Sequence, residues 1–457
     1  MGRKFGLRLR NAYLLCSREN RYSESPSQVH TIDINDFYST EEMTFNFQTV
    51  SVCIAEGSEG YFMQADSAAF YHQLPLPAES KKFYAFDSPI GRLTLTTLPT
   101  GQRHTVGVAQ TISSILLRIV ADRVPEVKQG IPVAHTAYID NYRMCSNSVE
   151  STKILASVFM DTAAEFKITM NETLDEIVEA ITAPVQEFRG MAFHRDSTTN
   201  AVTVGLAKKS KDKLEQLLHV HLPKIAVWSV ELLESAVSFL IFCSSVLQVQ
   251  LCSFYHIFKL LRRRLNNDKT HRQKRRQHAR VWPSVIESLT SWIKELLDKK
   301  PVDYKKMSDA SKLKVPIVVT DASLTGWGAM MFFDGKVSWT GGSWPIYLRR
   351  ACIAELEAHA VLNGLSTLLP NGGFVHVIID NTSVQGALRK GYSRNFFINK
   401  VITKVQKIYT IIRISYIKSE DNPTDPMTHG RAPDMIGRRA TAMALLAEHH
   451  TEWLNYV

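Results

Sequence analysis

Apolar and polar positions along Val315 to Trp339, VPIVVTDASLTGWGAMMFFDGKVSW, predict a three-stranded antiparallel meander. Val315 to Thr320 is apolar and β-branched, which reads as a buried strand, and it ends on Asp321. Small turn formers from Ser323 to Gly326 precede a second apolar run, Trp327 to Phe333. Asp334-Gly335 is a dipeptide that closes two-residue hairpins, and Lys336 to Trp339 supplies the third strand. Arg350 to Leu369 has helical spacing, with Ile353, Leu356, Ala360 and Leu365 apolar, and carries Glu355. Val375 to Ile379 predicts a fourth strand ending at Asp380. Thr382 to Leu388 and Phe396 to Tyr409 predict helices, Ile411 to Ile417 a fifth strand, and Asp425 a loop position beyond it. The order is β-β-β-α-β-α-α-β-α.

A second patterned block lies upstream. Gly60 to Ala65 is strand-like and leads to Asp66. Leu74-Pro75-Leu76-Pro77 is a stop, Lys82 to Phe86 a strand, and Thr105 to Val124 a helix. Ile131 to Ile139 is strand-like, and Asp140-Asn141 before Tyr142-Arg143-Met144 suits a tight hairpin. Leu214 to Val220 and Trp282 to Leu297 read as helices, and Lys299 to Lys314 as a polar, basic linker. The apolar run Ala236 to Leu261 has the length of a membrane span. Its Gln248, Gln250 and several serines, with a basic block behind it, favour packed helices over a membrane segment.

Composition narrows the class. The chain has 457 residues, enough for two to four domains, and its 45% apolar content is ordinary for a globular protein. The net charge of +10 favours a polyanionic partner. Much of the surplus sits in KLLRRRLNNDKTHRQKRRQHAR, Lys259 to Arg280, where Asp268 is the only acid. Arg262, Arg263, Arg264, Arg272, Lys274, Arg275 and Arg276 there suit phosphate contact; a nuclear localisation signal or a solvated linker are the other readings. The cysteines, Cys16, Cys53, Cys145, Cys243, Cys252 and Cys352, are scattered without zinc spacing. That pattern fits a reducing compartment, and MGRKFGLRLR lacks the apolar core of a secretory signal. An intracellular location, in cytoplasm or nucleus, is expected.

The candidate chemistry lies in carboxylates at element ends. Hard Mg²⁺ ions take oxygen ligands, and a pair of them clamps both sides of a phosphodiester during in-line displacement. Asp321, Glu355, Asp380 and Asp425 form one candidate set. Asp66 and Asp140, both at strand ends, form another that could hold metal beside a triphosphate.

Two sets of motifs carry a family resemblance. TDASLTGWGA, Glu355-Leu356-x-Ala358, Ile379-Asp380-Asn381 and Asn422-Pro423-x-Asp425 resemble the ribonuclease H domains of retroelements, over roughly Val315 to Arg431. A histidine often found upstream of the last acid has no clear counterpart in IKSEDNPTD. Asp66 with Phe70-Tyr71-His72-Gln73-Leu74-Pro75, the LPTG of Leu98 to Gly101 with Gln110, and Tyr138-Ile139-Asp140-Asn141 resemble successive motifs of a reverse transcriptase palm. Phe166 to Asn171 and Phe188-Arg189-Gly190 resemble the two shorter motifs that follow. With no Asp-Thr-Gly or Asp-Ser-Gly protease motif and no room for an integrase, the layout is most similar to tyrosine-recombinase retrotransposons of the DIRS and VIPER kind. Hepadnaviral and pararetroviral polymerases share much of the motif set.

The resemblance implies an α+β right-hand polymerase, palm and thumb, followed by an α/β ribonuclease H-like domain with a mixed five-stranded sheet. The implied boundaries are a partial fingers-like region at 1–59, palm at 60–205, thumb, connection and basic linker at 206–314, ribonuclease H-like domain at 315–431 and a C-terminal helix at 432–457. It implies two Mg²⁺ or Mn²⁺ ions at each acidic set. It places Tyr71, Thr100, Gly101, Gln110 and Asn141 at the nucleotide and template, Tyr71 as the group under the sugar. The implied partners are RNA template, DNA primer, RNA–DNA hybrid and dNTPs. Asn141 stands where a second Asp is usual, and Phe70 where a small residue is usual. An RNA-directed DNA polymerase with ribonuclease H activity, a ribonuclease H with an inactive palm, and a non-enzymatic nucleic-acid-binding remnant therefore all stay open.

Overall fold

The computed structural model describes residues 53–54, 60–100, 102–124, 133–266, 281–304, 315–334 and 336–433. The chain divides into two compact units, Met1–Arg189 and Gly190–Val457.

The first unit is built on a three-stranded antiparallel sheet of order β1-β5-β4. Its elements run β1 (Tyr61–Asp66), a helical turn at Phe70–Gln73, a hairpin of β2 (Ala85–Ser88) and β3 (Gly91–Thr94), α1 (Arg103–Arg123), β4 (Ala134–Tyr138), β5 (Asn141–Ser146), α2 (Val149–Glu165), α3 (Leu174–Ile181) and β6 (Val185–Phe188). Met63, Ala65, Tyr142 and Met144 alternate on one face of β1 and β5, as period-2 side chains must. They pack against Leu117 and Val120 of α1, Phe159 of α2 and Ile177 of α3. Thr173 and Glu176 form a reciprocal capping box at the start of α3, satisfying two helix-end donors.

The second unit begins with a hairpin, β7 (Met191–Arg195) and β8 (Val202–Leu206). Helices α4 (Lys208–Gln216), α5 (Val230–Leu247), α6 (Tyr255–Asn266) and α7 (Pro283–Asp298) follow. The apolar run from Ala236 is not one helix. It breaks at Gln248, which takes a left-handed φ of 54° and ends α5. Trp292 of α7 is buried, stacks on Phe254 at 4.4 Å and donates its indole N–H to Ser244 of α5 at 2.8 Å. Among the described residues, two helices, α1 from His104 and α5, are long and apolar enough to cross a membrane, and about half of each such window is buried within the protein.

The expected mixed five-stranded sheet is present, in the order β11-β10-β9-β12-β13. Strands β9 (Ile317–Ala322), β10 (Gly326–Phe333) and β11 (Lys336–Ser343) form the antiparallel meander. The Phe333↔Lys336 pairing closes its two-residue turn, and Asp334 takes the φ of 52° that this turn demands. After α8 (Ile353–Leu368), strand β12 (Gly373–Ile379) enters parallel to β9. Then come α9 (Thr382–Lys390), α10 (Phe396–Ile408) and β13 (Tyr409–Tyr416), which runs parallel to β12. Asn381 and Asn395 cap α9 and α10 through their side-chain oxygens. One face of the sheet, with Val318, Val375 and Val377, packs on α8, α9 and α10; Val319, Met330 and Ile378 fill the other. A helical turn at Asp425–His429 follows β13. The helix expected over Arg438 to Val457 lies outside the described residues.

Candidate active sites

In the second unit, β9 and β12 are adjacent and parallel, so their carboxyl ends bring Asp321 and the residue after Ile379, Asp380, to the same end of the sheet. Carboxylate oxygens of Asp321, Glu357 and Asp380 all lie within 4.8 Å of one another. The helix carboxylate of this cluster is therefore Glu357, not the expected Glu355. Residues two apart on a helix point about 200° apart, so only one of the two can face the sheet. The sheet-facing stripe is marked by Gly364, where a Cβ would lie 2.5 Å from that of Ala329; Glu357 is two turns back on that stripe, and Ala360 is one. Glu355 instead accepts a hydrogen bond from Asn395 Nδ2 at 2.7 Å, at the start of α10. The small residues at Ala360 and Gly364 were the signal in the sequence that favours Glu357.

Asp425 is delivered by a loop tied to β9. Asn422 donates to the Thr320 carbonyl at 3.1 Å, and its oxygen accepts from Thr424 N and Oγ1. The loop lies against Gly328, the cross-strand partner of Asp321. A Cβ at Gly328 would sit 2.6 Å from Met427 Cβ and 2.9 Å from the Thr424 carbonyl. Gly328→Ala is thus expected to shift the Asp425 loop and cost about 1–3 kcal/mol by overpacking. Thermal melting and phosphodiester cleavage measured on the same sample check this, both falling together.

The electrostatics are those of an uncompensated acidic cluster. Asp321 is 5% and Glu357 4% exposed. Burial first, then Asp380 and Asp425, push the Asp321 carboxyl up to about 8. Burial first, then Asp380 and Asp321, push Glu357 up to about 9. Asp380 Oδ2 accepts from Ser419 Oγ at 2.6 Å, while Asp380 Oδ1 and Glu357 Oε2 are buried with no hydrogen-bond partner among the described residues. Nor does any described Lys or Arg form an ion pair with these three acids. Buried oxygens without donors, converging from three elements, fit a hard divalent cation.

In the first unit, Asp66 ends β1 and pairs in register with Asn141, the first residue of β5. Tyr138 pairs with Asn141, so the turn residues are Ile139 and Asp140, rather than the expected Asp140-Asn141. Ile139 has a φ of 59°, a strained conformation for a β-branched residue that persists only when its surroundings over-determine it. They do. Gln110 Oε1 accepts from Ile139 N at 2.8 Å, Gln110 Nε2 donates to the Ala137 carbonyl at 3.0 Å, and Ser113 Oγ donates to the Ile139 carbonyl. Gln110, expected at the nucleotide or template, is buried and spends its amide on this hairpin.

Asp66 Oδ2 accepts from Asn171 Nδ2 at 2.8 Å, and Oδ1 is buried without a partner among the described residues. Burial first, then Asp140, with Glu172 adding, raises the Asp66 carboxyl; the Asn171 bond partly offsets them. Asn141 Nδ2 donates to Asp140 Oδ1 at 2.9 Å. Tyr71 lies in the turn after β1, and its hydroxyl is raised by burial first, then by the charge of Asp140. Phe70 is buried and meets Tyr142 edge-on at 6.4 Å. Thr100 is exposed.

Of the basic residues, Arg262 lies 5.6 Å over Tyr392 and Arg263 5.6 Å over Trp282. Arg264 follows them on α6. Gly101, Arg272, Lys274, Arg275 and Arg276 lie outside the described residues.

No protein-family model matches the chain, and no curated protein matches it. Among solved structures, similarity is found to a foamy viral protease-reverse transcriptase. In a form designated dRH, with double-stranded DNA, identity is 14% and the TM-score 0.42, covering 82% of this chain and 60% of that one. With an RNA/DNA hybrid the values are 14%, 0.41, 82% and 46%, and with double-stranded DNA 15%, 0.42, 82% and 72%. The chain spans less than two thirds of the first two of these proteins. Likeness at this level decides neither fold nor function.

Proposed function

We propose that this chain is a nucleic-acid-processing enzyme that hydrolyses the RNA strand of an RNA–DNA hybrid at Asp321, Glu357, Asp380 and Asp425, and extends a DNA primer on an RNA or DNA template at Asp66 and Asp140. The observation that carries the reading is the convergence of Asp321, Glu357 and Asp380 within 4.8 Å, buried and without a counter-charge among the described residues. A structural cluster gains nothing from such repulsion, whereas a divalent-ion site requires it. Two Mg²⁺ ions held there would lower the pKa of an attacking water and stabilise the leaving oxygen.

The chain's own residues do the rest. Asp321, Glu357 and Asp380 hold the ligand oxygens at a fixed spacing on two strand ends and a helix. Ser419 orients the Asp380 carboxylate, and Asn422 fixes the loop carrying Asp425. At the other site, Gln110 and Ser113 lock the hairpin that carries Asp140, and Asn171 orients Asp66. Tyr71, in the turn after Asp66, would lie under the sugar of an incoming dNTP. The basic segment around Arg262, Arg263 and Arg264 would give sequence-independent affinity for phosphates, and the hybrid would be chosen by minor-groove shape and 2′-hydroxyls. The layout fits a retroelement polymerase working in cytoplasm or nucleus.

Asp380→Asn tests the hydrolytic site. It is expected to abolish RNA cleavage while leaving hybrid binding intact; undiminished cleavage would overturn the assignment.

One observation favours a second reading, hydrolysis alone with a silent polymerase site. Asn141 carries no charge, and its amide occupies an oxygen of Asp140 that a metal would use. Primer extension on an RNA template separates the two. Extension by the unaltered chain establishes a working polymerase site, and extension only after Asn141→Asp establishes a silenced one.

A further inference from the structure

We propose that Glu172 is a third acidic residue of the Asp66–Asp140 site, supplying the negative charge that Asn141 withholds. The inference rests on the polymerase reading of that site and adds a residue that the sequence motifs did not single out.

The segment Met170 to Glu172 is laid along the end of β1. Asn171 N donates to the Asp66 carbonyl at 2.8 Å, and Ser67 and Met170 form an antiparallel bridge. Two consecutive side chains then turn back onto one residue. Asn171 Nδ2 reaches Asp66 Oδ2 at 2.8 Å, and Glu172 Oε2 accepts from the backbone N–H of Asp66 at 2.9 Å. Glu172 is thereby anchored on the backbone of the residue that carries the Asp66 carboxylate. Asp66 Oδ1 is buried with no hydrogen-bond partner among the described residues.

The backbone N–H needs only a neutral acceptor, which a glutamine would supply. A charged one has an electrostatic cost here. Glu172 is anchored on the backbone of Asp66, and no described Lys or Arg forms an ion pair with Asp66, Asp140 or Glu172. Like charges gathered without a cation are destabilising unless a cation is shared between them. Charge counting points the same way. The sequence places Asp66, Asp140 and neutral Asn141 together, and Glu172 brings the site to three carboxylates. Divalent-ion affinity follows the number of charged ligands in a site.

The test uses the full chain carrying Asp321→Asn and Asp380→Asn, which silences the other acidic cluster. Mn²⁺ binding is followed by electron paramagnetic resonance in this parent, in Glu172→Gln, in Asn141→Asp and in the combined variant. Glu172→Gln keeps the hydrogen bond to Asp66 N and removes only the charge, and its melting temperature verifies the fold. The expected result is Mn²⁺ affinity about tenfold weaker in Glu172→Gln, restored by adding Asn141→Asp. Unchanged affinity in Glu172→Gln overturns this inference alone. A parent that binds no Mn²⁺ overturns it together with the polymerase reading.

Discussion

Glu357→Gln is expected to lower hydrolysis of the RNA strand in a hybrid by on the order of a thousandfold, while Glu355→Gln changes it by less than about threefold. The two residues are separated by one position and point to opposite sides of α8. Glu357 shares a 4.8 Å cluster with Asp321 and Asp380, and glutamine there retains size and an oxygen but removes the charge that balances a divalent ion. Glu355 holds Asn395 at 2.7 Å, and a glutamine oxygen can accept that bond equally well. Both variants keep the helix, so comparison at equal fold is direct. Equal loss from the two variants, or loss from Glu355→Gln alone, would reverse the assignment.

Removing divalent ions is expected to make stability fall as pH rises, the reverse of ordinary acid denaturation. Asp321 and Glu357 have ordinary values of 3.8 and 4.5 and stand at about 8 and about 9 in the folded chain. Between those limits the folded state binds more protons than the unfolded one. The stability these two groups allow is therefore fully present below about pH 4 and is lost as pH climbs through the folded values. Each such group contributes about 1.4 kcal/mol per pH unit within its window. In EDTA, the melting temperature should drop from pH 5 to pH 9. Asp321→Asn should flatten that slope and melt higher than the unaltered chain at pH 8. Added Mg²⁺ should restore the loss, since it binds the ionised cluster. A melting temperature that rises with pH in EDTA would contradict the buried, uncompensated state of these acids.

Strand ends were the most legible part of the chain. β-branched runs fixed β9 and β12, and their carboxyl ends named Asp321 and Asp380 without further information. Asp334-Gly335 announced its hairpin because few residues tolerate the φ it needs. The helix carboxylate is less legible: the motif names Glu355, whereas Glu357 joins the cluster. Both fit a helix bearing Leu356 and Ala358, and only the close approach of Gly364 to Ala329 decides which face meets the sheet. The hairpin turn slipped by one residue because Ile139 takes a conformation its side chain disfavours. That strain is held by Gln110 and Ser113, contacts distant in sequence that local pattern cannot show. Gln110, which the resemblance places at the nucleotide and template, makes its side-chain hydrogen bonds to this hairpin. Glu172 sits in no acidic motif and meets Asp66 only through the fold.

The most direct measurement is cleavage of a labelled RNA strand in three settings, annealed to DNA, annealed to RNA and alone, by the full chain with Mg²⁺ and with EDTA. The account predicts cleavage of the RNA–DNA hybrid only, dependent on Mg²⁺ and lost in Glu357→Gln. Cleavage that survives EDTA, or none in the hybrid with Mg²⁺, would contradict it.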